Sequence, residues 1–288
     1  MFNVCTIITP DYLHKALALL YSMTPFRAIR MHCLVSEEWR NLEDFEESMS
    51  VGDSQIIFYA LDDIYDQQKL QELPRNNDRL RWASKSRFLI YLFETENISS
   101  LIYLDNDVCF FNDFRFLFDE LQNHTLLLTP HWRPLDPQAN EMQFSCNFRD
   151  GLYNAGFLGA SEQSLEALNW WHQACLYKCE FDFQNGFYVD QRYLDAFPVY
   201  FKGVKIMNHL GCNVAQWNAD FLERKDIDGE ILINSKWPIV FVHFSPVTIE
   251  NIENGNDGKL KPYLHKHISY IDRAKKEIQA LTIGLKSI

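Results

Sequence analysis

The sequence predicts an α/β protein with a mainly parallel sheet and helices on both of its faces. Three observations carry that prediction. Strand-type and helix-type stretches alternate three times before a fourth strand at Leu101, the pattern of a parallel sheet with helical crossovers. The hydrophobic fraction is 47%, with 22 Phe, 13 Tyr and 7 Trp, enough apolar side chain for a large packed core. At 288 residues the chain is near the upper size for one core, so one large domain (1–246) with a short helical tail (247–288) is expected.

In order, Asn3 to Thr9 reads as a buried strand ended by Pro10. Asp11 is placed to cap a helix through Tyr12, Leu13, Ala16, Leu17 and Leu20 to about Met23. Ile29 to Val35 is a second strand, followed by the acidic amphipathic segment Glu37 to Met49 and a third strand, Gln55 to Ala60. Leu61, Asp62 and Asp63 open a polar helix. Arg79 to Glu94 is a longer helix with cations at Arg79, Arg81, Lys85 and Arg87. Most such cations serve solubility. Arg87, where the helix turns apolar, is the one expected to bind a pyrophosphate or a carboxylate.

The fourth strand is LIYLDNDVCFF, Leu101 to Phe111. It delivers Asp105 and Asp107 to a strand end between two apolar runs, where holding carboxylates is costly. A pair spaced i, i+2 where alternation breaks into a turn can aim both groups at one hard divalent cation, Mg²⁺ or Mn²⁺, which offsets their repulsion. The bland reading is a solvated turn in which both acids satisfy backbone donors. Sites in such folds lie beyond the carboxyl ends of the strands, so Thr9 to Tyr12 and Asp105 to Asp107 are expected to face one crevice.

After the pair come a short helix, Asp113 to Leu121, and a strand, Thr125 to Thr129. Pro130 to Asp150 reads as an irregular loop, taken as an acceptor-side flap. GLYNAGFLGAS, Gly151 to Ser161, is a short strand whose small residues suit close approach of backbone to a ligand, or equally a bulge or tight sheet crossing. An apolar-faced helix carrying Trp170 and Trp171 follows. Asp190 and Gln191 then start a helix toward Pro198, where Asp190 is either an N-cap or a functional acid. His243 sits inside the apolar run PIVFVHFSP. It is a satisfied core histidine unless it meets the acidic pair in space, in which case it becomes a metal ligand. From Tyr263 to Ile288 an amphipathic helix carries Ile268, Ile271, Ala274, Ile278 and Leu281 along one stripe, with Arg273, Lys275, Lys276 and Lys286 at polar positions. That stripe either docks on the domain or lies on a membrane surface.

A net charge of −12 and a pI near 5.2 argue against a nucleic-acid groove and against general attraction to anionic membranes. The seven cysteines are odd in number, scattered and in apolar contexts, so they read as reduced, buried thiols. Cys175 and Cys179 have helical spacing but no matching Cys or His pair for a metal. No window approaches the roughly 20 apolar residues of a membrane span, and the N-terminus lacks a signal-type segment. A cytoplasmic protein is expected, and the C-terminal helix is the one segment through which peripheral contact with the inner face of the membrane could come.

Seven motifs in order, NVCTIITPDYLHKAL, SKSRFLIYLF, YLDNDVCFF, LYNAGFLGAS, FYVDQRYLDAFP, GCNVAQWN and FVHFSP, resemble the GT-A glycosyltransferases of the glycogenin and lipopolysaccharide galactosyltransferase group. They resemble still more the stand-alone glycosyltransferases of bacterial polysaccharide clusters. The resemblance spans Asn3 to about Pro246 and implies a Rossmann-like GT-A fold acting on a nucleoside-diphosphate sugar. It implies that Tyr12 stacks on the base, with Thr9 and Asp11 beside it. Asp105, Asp107 and His243 would hold Mn²⁺ or Mg²⁺, with Asn106 between the acids. Lys85 and Arg87 would serve the donor from the helix ahead of the pair. Asn154 and Gly156 would contact the donor sugar, and Asp190 and Gln191 would flank its ring. The implied reaction is a metal-dependent transfer, with UDP the favoured carrier and retention the favoured outcome, to a glycan or lipid-linked acceptor. The chain departs from relatives whose C-terminal run brings a lysine to the phosphates, which leaves Lys259, Lys261 and Lys266 as candidates. Two rivals come from other classes. LIYLDNDV also fits the first motif of haloacid-dehalogenase-like phosphatases, with Asp105 as phosphoryl acceptor, but no later strand ends in the paired acids that family needs. The other rival is a catalytically silent sugar-nucleotide binder.

Overall fold

The structure, a computed structural model, describes residues 1–36, 48–73 and 77–285. The predicted acidic segment Glu37 to Met49 lies almost wholly outside them, as does Lys286. The chain opens with β1 (Phe2–Ile8). Pro10–Tyr12 then form a single 3₁₀ turn closed by the Tyr12 N–H on Thr9 O at 2.9 Å. The first helix, α1 (Leu13–Met23), therefore starts after Tyr12 and carries no Asp11 side-chain cap. Next come β2 (Ile29–Val35), β3 (Ser48–Val51), β4 (Ser54–Ala60), the short helices α2 (Leu61–Ile64) and α3 (Gln67–Glu72), and the long α4 (Asn77–Thr95).

The run Leu101 to Phe111 is two strands, β5 (Ser100–Leu104) and β6 (Val108–Phe110), with the acidic pair in the turn between them. After α5 (Arg115–Glu120) and β7 (Leu126–Pro130), the stretch expected to be irregular contains a helix, α6 (Glu141–Arg149). Asn140 caps it, its Oδ1 accepting the Gln143 N–H at 3.0 Å. Then follow β8 (Tyr153–Ser161), α7 (Leu165–Tyr177) and the hairpin β9 (Phe181–Asp182) and β10 (Phe187–Tyr188). Gln191–Ala196 is 3₁₀ and leads into α8 (Phe197–Tyr200) and β11 (Val204–Ile206). A small meander of β12 (Arg224–Ile227), β13 (Glu230–Ile233) and β14 (Trp237–Pro238) precedes β15 (Phe241–His243), α9 (Pro246–Glu253) and α10 (Lys261–Leu285).

The eight-stranded sheet has the order β11-β7-β8-β5-β1-β2-β4-β3. Pairs β1/β2, β1/β5, β2/β4 and β11/β7 are parallel. The strand β8 is antiparallel to both β5 and β7, and β3 is antiparallel to β4. Side chains leave each strand alternately to its two faces. Val4, Ile8, Ile102 and Leu104 join α1 in one core cluster. Cys5, Ile7, Leu101 and Tyr103 join α4 and α7 in a second. Both faces are thus covered, as the strand–helix alternation predicts, and the seven cysteines are free and buried.

The tail is part of this packing. Leu260 and Leu264 are buried with Ile231, Val242 and Phe244, while Ala274 is buried against the α1 cluster. The Arg273 guanidinium stands 4.0 Å from the Tyr21 ring centroid, and the Tyr21 hydroxyl donates to Glu277. The inward stripe of α10 runs through Leu264, His267, Tyr270 and Ala274. Ile268, expected on that stripe, is 41% exposed. Among the described residues no helix is long and apolar enough to cross a membrane.

Candidate active site

The site lies where the topology predicts, beyond the carboxyl ends of β1 and β5. Because β8 runs against β5, its amino end meets the carboxyl end of β5, and the Asp105 N–H donates to Gly156 O at 2.9 Å. The acidic turn is thereby tied to Asn154–Gly156. From the other side β15 pairs with β6, with His243 opposite Val108 and the Phe244 N–H on Asp107 O at 2.8 Å. This pairing brings His243 to the acidic pair across more than a hundred residues of chain.

Ligand atoms of Asp105, Asp107 and His243 all lie within 4.8 Å of one another. His243 Nε2 and Asp107 Oδ1 are 3.0 Å apart. That oxygen is buried and makes no hydrogen bond of good geometry. An octahedral Mg²⁺ with ligands at about 2.1 Å sets neighbouring donor atoms about 3 Å apart, so the donor set fits a hard divalent ion. The tautomer of His243 fits as well. Asn154 Oδ1 accepts the Gly156 N–H at 2.9 Å and lies 3.2 Å from His243 Nδ1. An oxygen acceptor there requires Nδ1 to carry a proton, so in the neutral imidazole it is Nε2 that offers the lone pair a metal would take, in place of the proton that Asp107 favours there when no ion is bound. Burial works against a charged His243, but Asp107 outweighs it and raises the imidazole pKa. Burial likewise pushes Asp107 up, and His243 more than offsets this, holding its carboxyl at about 2.

Behind the turn sits Lys85 of α4, buried, with Nζ 3.1 Å from Asp105 Oδ1, from Asp190 Oδ2 and from Ala155 O. Burial disfavours its charge, but the two carboxylates dominate and raise its pKa. The Tyr103 hydroxyl also donates to Asp105 Oδ1, at 2.7 Å. Three carboxyl groups, Asp105, Asp107 and Asp190, face one ammonium here, an acidic excess that suits a cation.

Asp190 is 2% exposed and makes no side-chain capping bond to the 3₁₀ turn that follows it. The helix-cap reading of this residue is therefore set aside in favour of its pairing with Lys85. Burial pushes its carboxyl above the ordinary range while Lys85 pulls against it. Its backbone is fixed by the Trp171 indole N–H on Asp190 O at 2.9 Å. The preceding Val189 has φ +42°, a left-handed conformation that a β-branched residue adopts only under constraint.

The amides of Asn154 and Gln191 are both committed to protein partners. Asn154 Nδ2 lies 3.4 Å from Gln191 Oε1 and from His131 Nε2. Gln191 Oε1 accepts the Ala155 N–H at 3.2 Å, and its Nε2 donates to Asp150 O at 2.9 Å. They brace β8 and orient His243. His131, which the sequence reading passed over, belongs to this network. It is 2% exposed and kept neutral by burial, and nothing in the local sequence marks it. Gly156 is small because of His243: a Cβ there would come 2.4 Å from His243 Cε1 and 2.7 Å from Asn154 Oδ1. A Cβ on Gly159 would meet Leu127 at 2.9 Å, so the tight-crossing account holds for that glycine.

In front of the centre is a cleft of about 240 Å³ bordered by Tyr12, Lys15, Arg81, Trp82, Lys85, Tyr103, Asp105, Asn106 and Asp107. The Asn106 amide also ties the turn to β1 through Ile7 O at 3.1 Å. Thr9 and the exposed Asp11 adjoin Tyr12 without bordering the cleft. Two expected cations lie elsewhere. Arg87 donates to Ile64 O at 2.9 Å and pairs with Glu94 at 3.2 Å. It is two residues beyond Lys85, roughly 200° around the helix, whereas Arg81 and Lys85 are four apart and share a face. Lys266 is exposed, with Nζ 4.9 Å from the Tyr270 ring centroid.

No protein-family model matches the chain. It is 27% identical over 256 residues to the uncharacterized protein YfnD of Bacillus subtilis (strain 168), covering 86% of this chain and 78% of that one. Among solved structures it is similar to the galactosyltransferase LgtC in complex with donor and acceptor sugar analogs, with TM-score 0.56 and 16% identity over 84% of this chain and 87% of that one. Mouse xyloside xylosyltransferase 1 superposes with TM-score 0.50 and 13% identity, over 86% of this chain and 98% of that one. The phosphatase reading gives way to this likeness. The architecture, an eight-stranded and mainly parallel sheet flanked by helices, is the GT-A glycosyltransferase fold.

Proposed function

We propose that the protein is a metal-dependent glycosyltransferase that moves a sugar from a nucleoside-diphosphate sugar, UDP being the favoured carrier, to a glycan or lipid-linked acceptor. The observation that carries this reading is the Asp105–Asp107–His243 cluster at the carboxyl edge of a GT-A sheet. A bound Mn²⁺ or Mg²⁺ would act as Lewis acid for the departing diphosphate in place of a proton donor. Asp105, Asp107 and His243 Nε2 are its ligands in this reading, and Asn154 holds the His243 tautomer. Tyr12 offers its ring to the base, with Thr9 and Asp11 next to it. Lys85 and Asp190 form a fixed charge pair beside the reacting sugar, where positive charge develops at the anomeric carbon.

Retention of configuration is part of the proposal. Inversion uses a carboxylate base to take the acceptor proton; among the described residues the carboxylates bordering the cleft are the two of the metal cluster, and the nearby Asp190 is tied up by the Lys85 ammonium. The inward face of α10 is occupied by the α1 and β15 packing, which favours a docked tail over a membrane-bound one.

Incubation with a panel of nucleotide sugars and Mn²⁺, followed by nucleotide release, tests the reading. Release from one donor, without cleavage of phosphomonoesters, is expected. Phosphomonoester cleavage, or silence on every donor, contradicts it.

A further inference from the structure

Of the cations that border the cleft, two are already committed. Lys85 is held by Asp105, Asp190 and Ala155 O, and Arg81 pairs with Asp78. The C-terminal lysines do not border it. Lys259 Nζ donates to Arg224 O at 2.6 Å, Lys261 is exposed, and Lys266 lies over Tyr270. Lys15 of α1 is left. It makes no ion pair and no hydrogen bond among the described residues, and its ammonium stands 4.2 Å from the Tyr12 ring centroid. It borders the same cleft as Tyr12 and Asp107.

The fold gains little from a lysine at this place. Lys15 lies in the first turn of α1, where the helix dipole disfavours a cation, and that turn contains no acidic residue to offset it. Three unspent N–H donors on a four-carbon stem, between an aromatic face and an acidic metal-type cluster, suit an anion that spans the two.

We infer that Lys15 is the diphosphate-binding cation of this chain. Its ammonium pairs with the phosphate oxygens of a nucleoside diphosphate that reaches from the Tyr12 ring to the Asp105–Asp107–His243 cluster. This rests on the nucleotide-sugar reading above and adds the residue that neutralises the leaving group.

The test compares two affinities in wild type, Lys15→Ala and Lys15→Arg. Mn²⁺ alone is titrated by electron paramagnetic resonance. UDP, GDP, ADP, CDP and dTDP are titrated calorimetrically at saturating Mn²⁺, and the tightest is used for the variants. Lys15→Ala is expected to weaken the diphosphate about tenfold or more, as loss of a charge-assisted hydrogen bond does. It should leave Mn²⁺ affinity equal or higher, because a like charge beside Asp107 is gone. Lys15→Arg should restore most of the diphosphate affinity. Diphosphate affinity within twofold of wild type in Lys15→Ala overturns the inference. So does parallel weakening of Mn²⁺ and diphosphate, which would mark Lys15 as a prop for the site. Wild type that binds Mn²⁺ but no diphosphate overturns the nucleotide-sugar reading itself, and the inference with it.

Discussion

Asp107→Ala is expected to reduce glycosyl transfer below detection while the protein keeps its fold. The loss should exceed the roughly 10²–10³-fold that removal of a single transition-state donor causes. Asp107 offers a buried oxygen that makes no hydrogen bond and lies 3.0 Å from His243 Nε2, so an ion loses the centre of its donor set. The turn itself is held by backbone bonds, Asp105 N–H to Gly156 O and Phe244 N–H to Asp107 O, which the substitution leaves in place. Turnover and melting temperature measured together check this. Activity that survives both the substitution and EDTA treatment would remove the metal from the account.

Asp190→Asn is expected to lower kcat about a hundredfold or more, with the donor KM within about threefold. Asp190 is one of the two carboxylates that hold the buried Lys85 ammonium, and its charge matters most when the sugar becomes positive in the transition state. Breaking a buried ion pair also costs stability, up to about 3–5 kcal/mol when a partner is deleted outright. An isosteric amide softens that cost. Steady-state kinetics corrected for the folded fraction separate the two effects. A lower melting temperature with normal kcat per folded molecule would make the pair structural only.

The sheet and the acidic pair were legible because they are written locally. Apolar runs alternate with amphipathic ones, and Asp105 and Asp107 stand between two such runs. Lys85 and Arg81 share a helix face that simple i, i+4 spacing defines. Expecting Arg87 to join them followed the switch to apolar sequence and ignored that its side chain points away, to Ile64 O and Glu94. The helix α6 was hidden because Met142 and Phe148 are exposed, 66% each, so its sequence has no buried stripe. Its cap, Asn140 on Gln143 N–H, was the signal available. His131, and the commitment of the Gln191 amide to Ala155 and Asp150, depend on β7, β8 and the Asp190 turn meeting in space. No local pattern encodes that. The role of His243 is intermediate: its oddity in an apolar strand was visible, but only the β6/β15 register sets it beside Asp107.

Thermal melting of the wild-type protein with nucleoside diphosphates, with and without Mn²⁺, tests the central claim most directly, because a ligand that binds the folded state raises its melting temperature. An upward shift is expected for one nucleoside diphosphate, appearing with Mn²⁺ and disappearing with EDTA or in Asp107→Ala. An equal shift without metal, or none with any of the nucleotides, would contradict it.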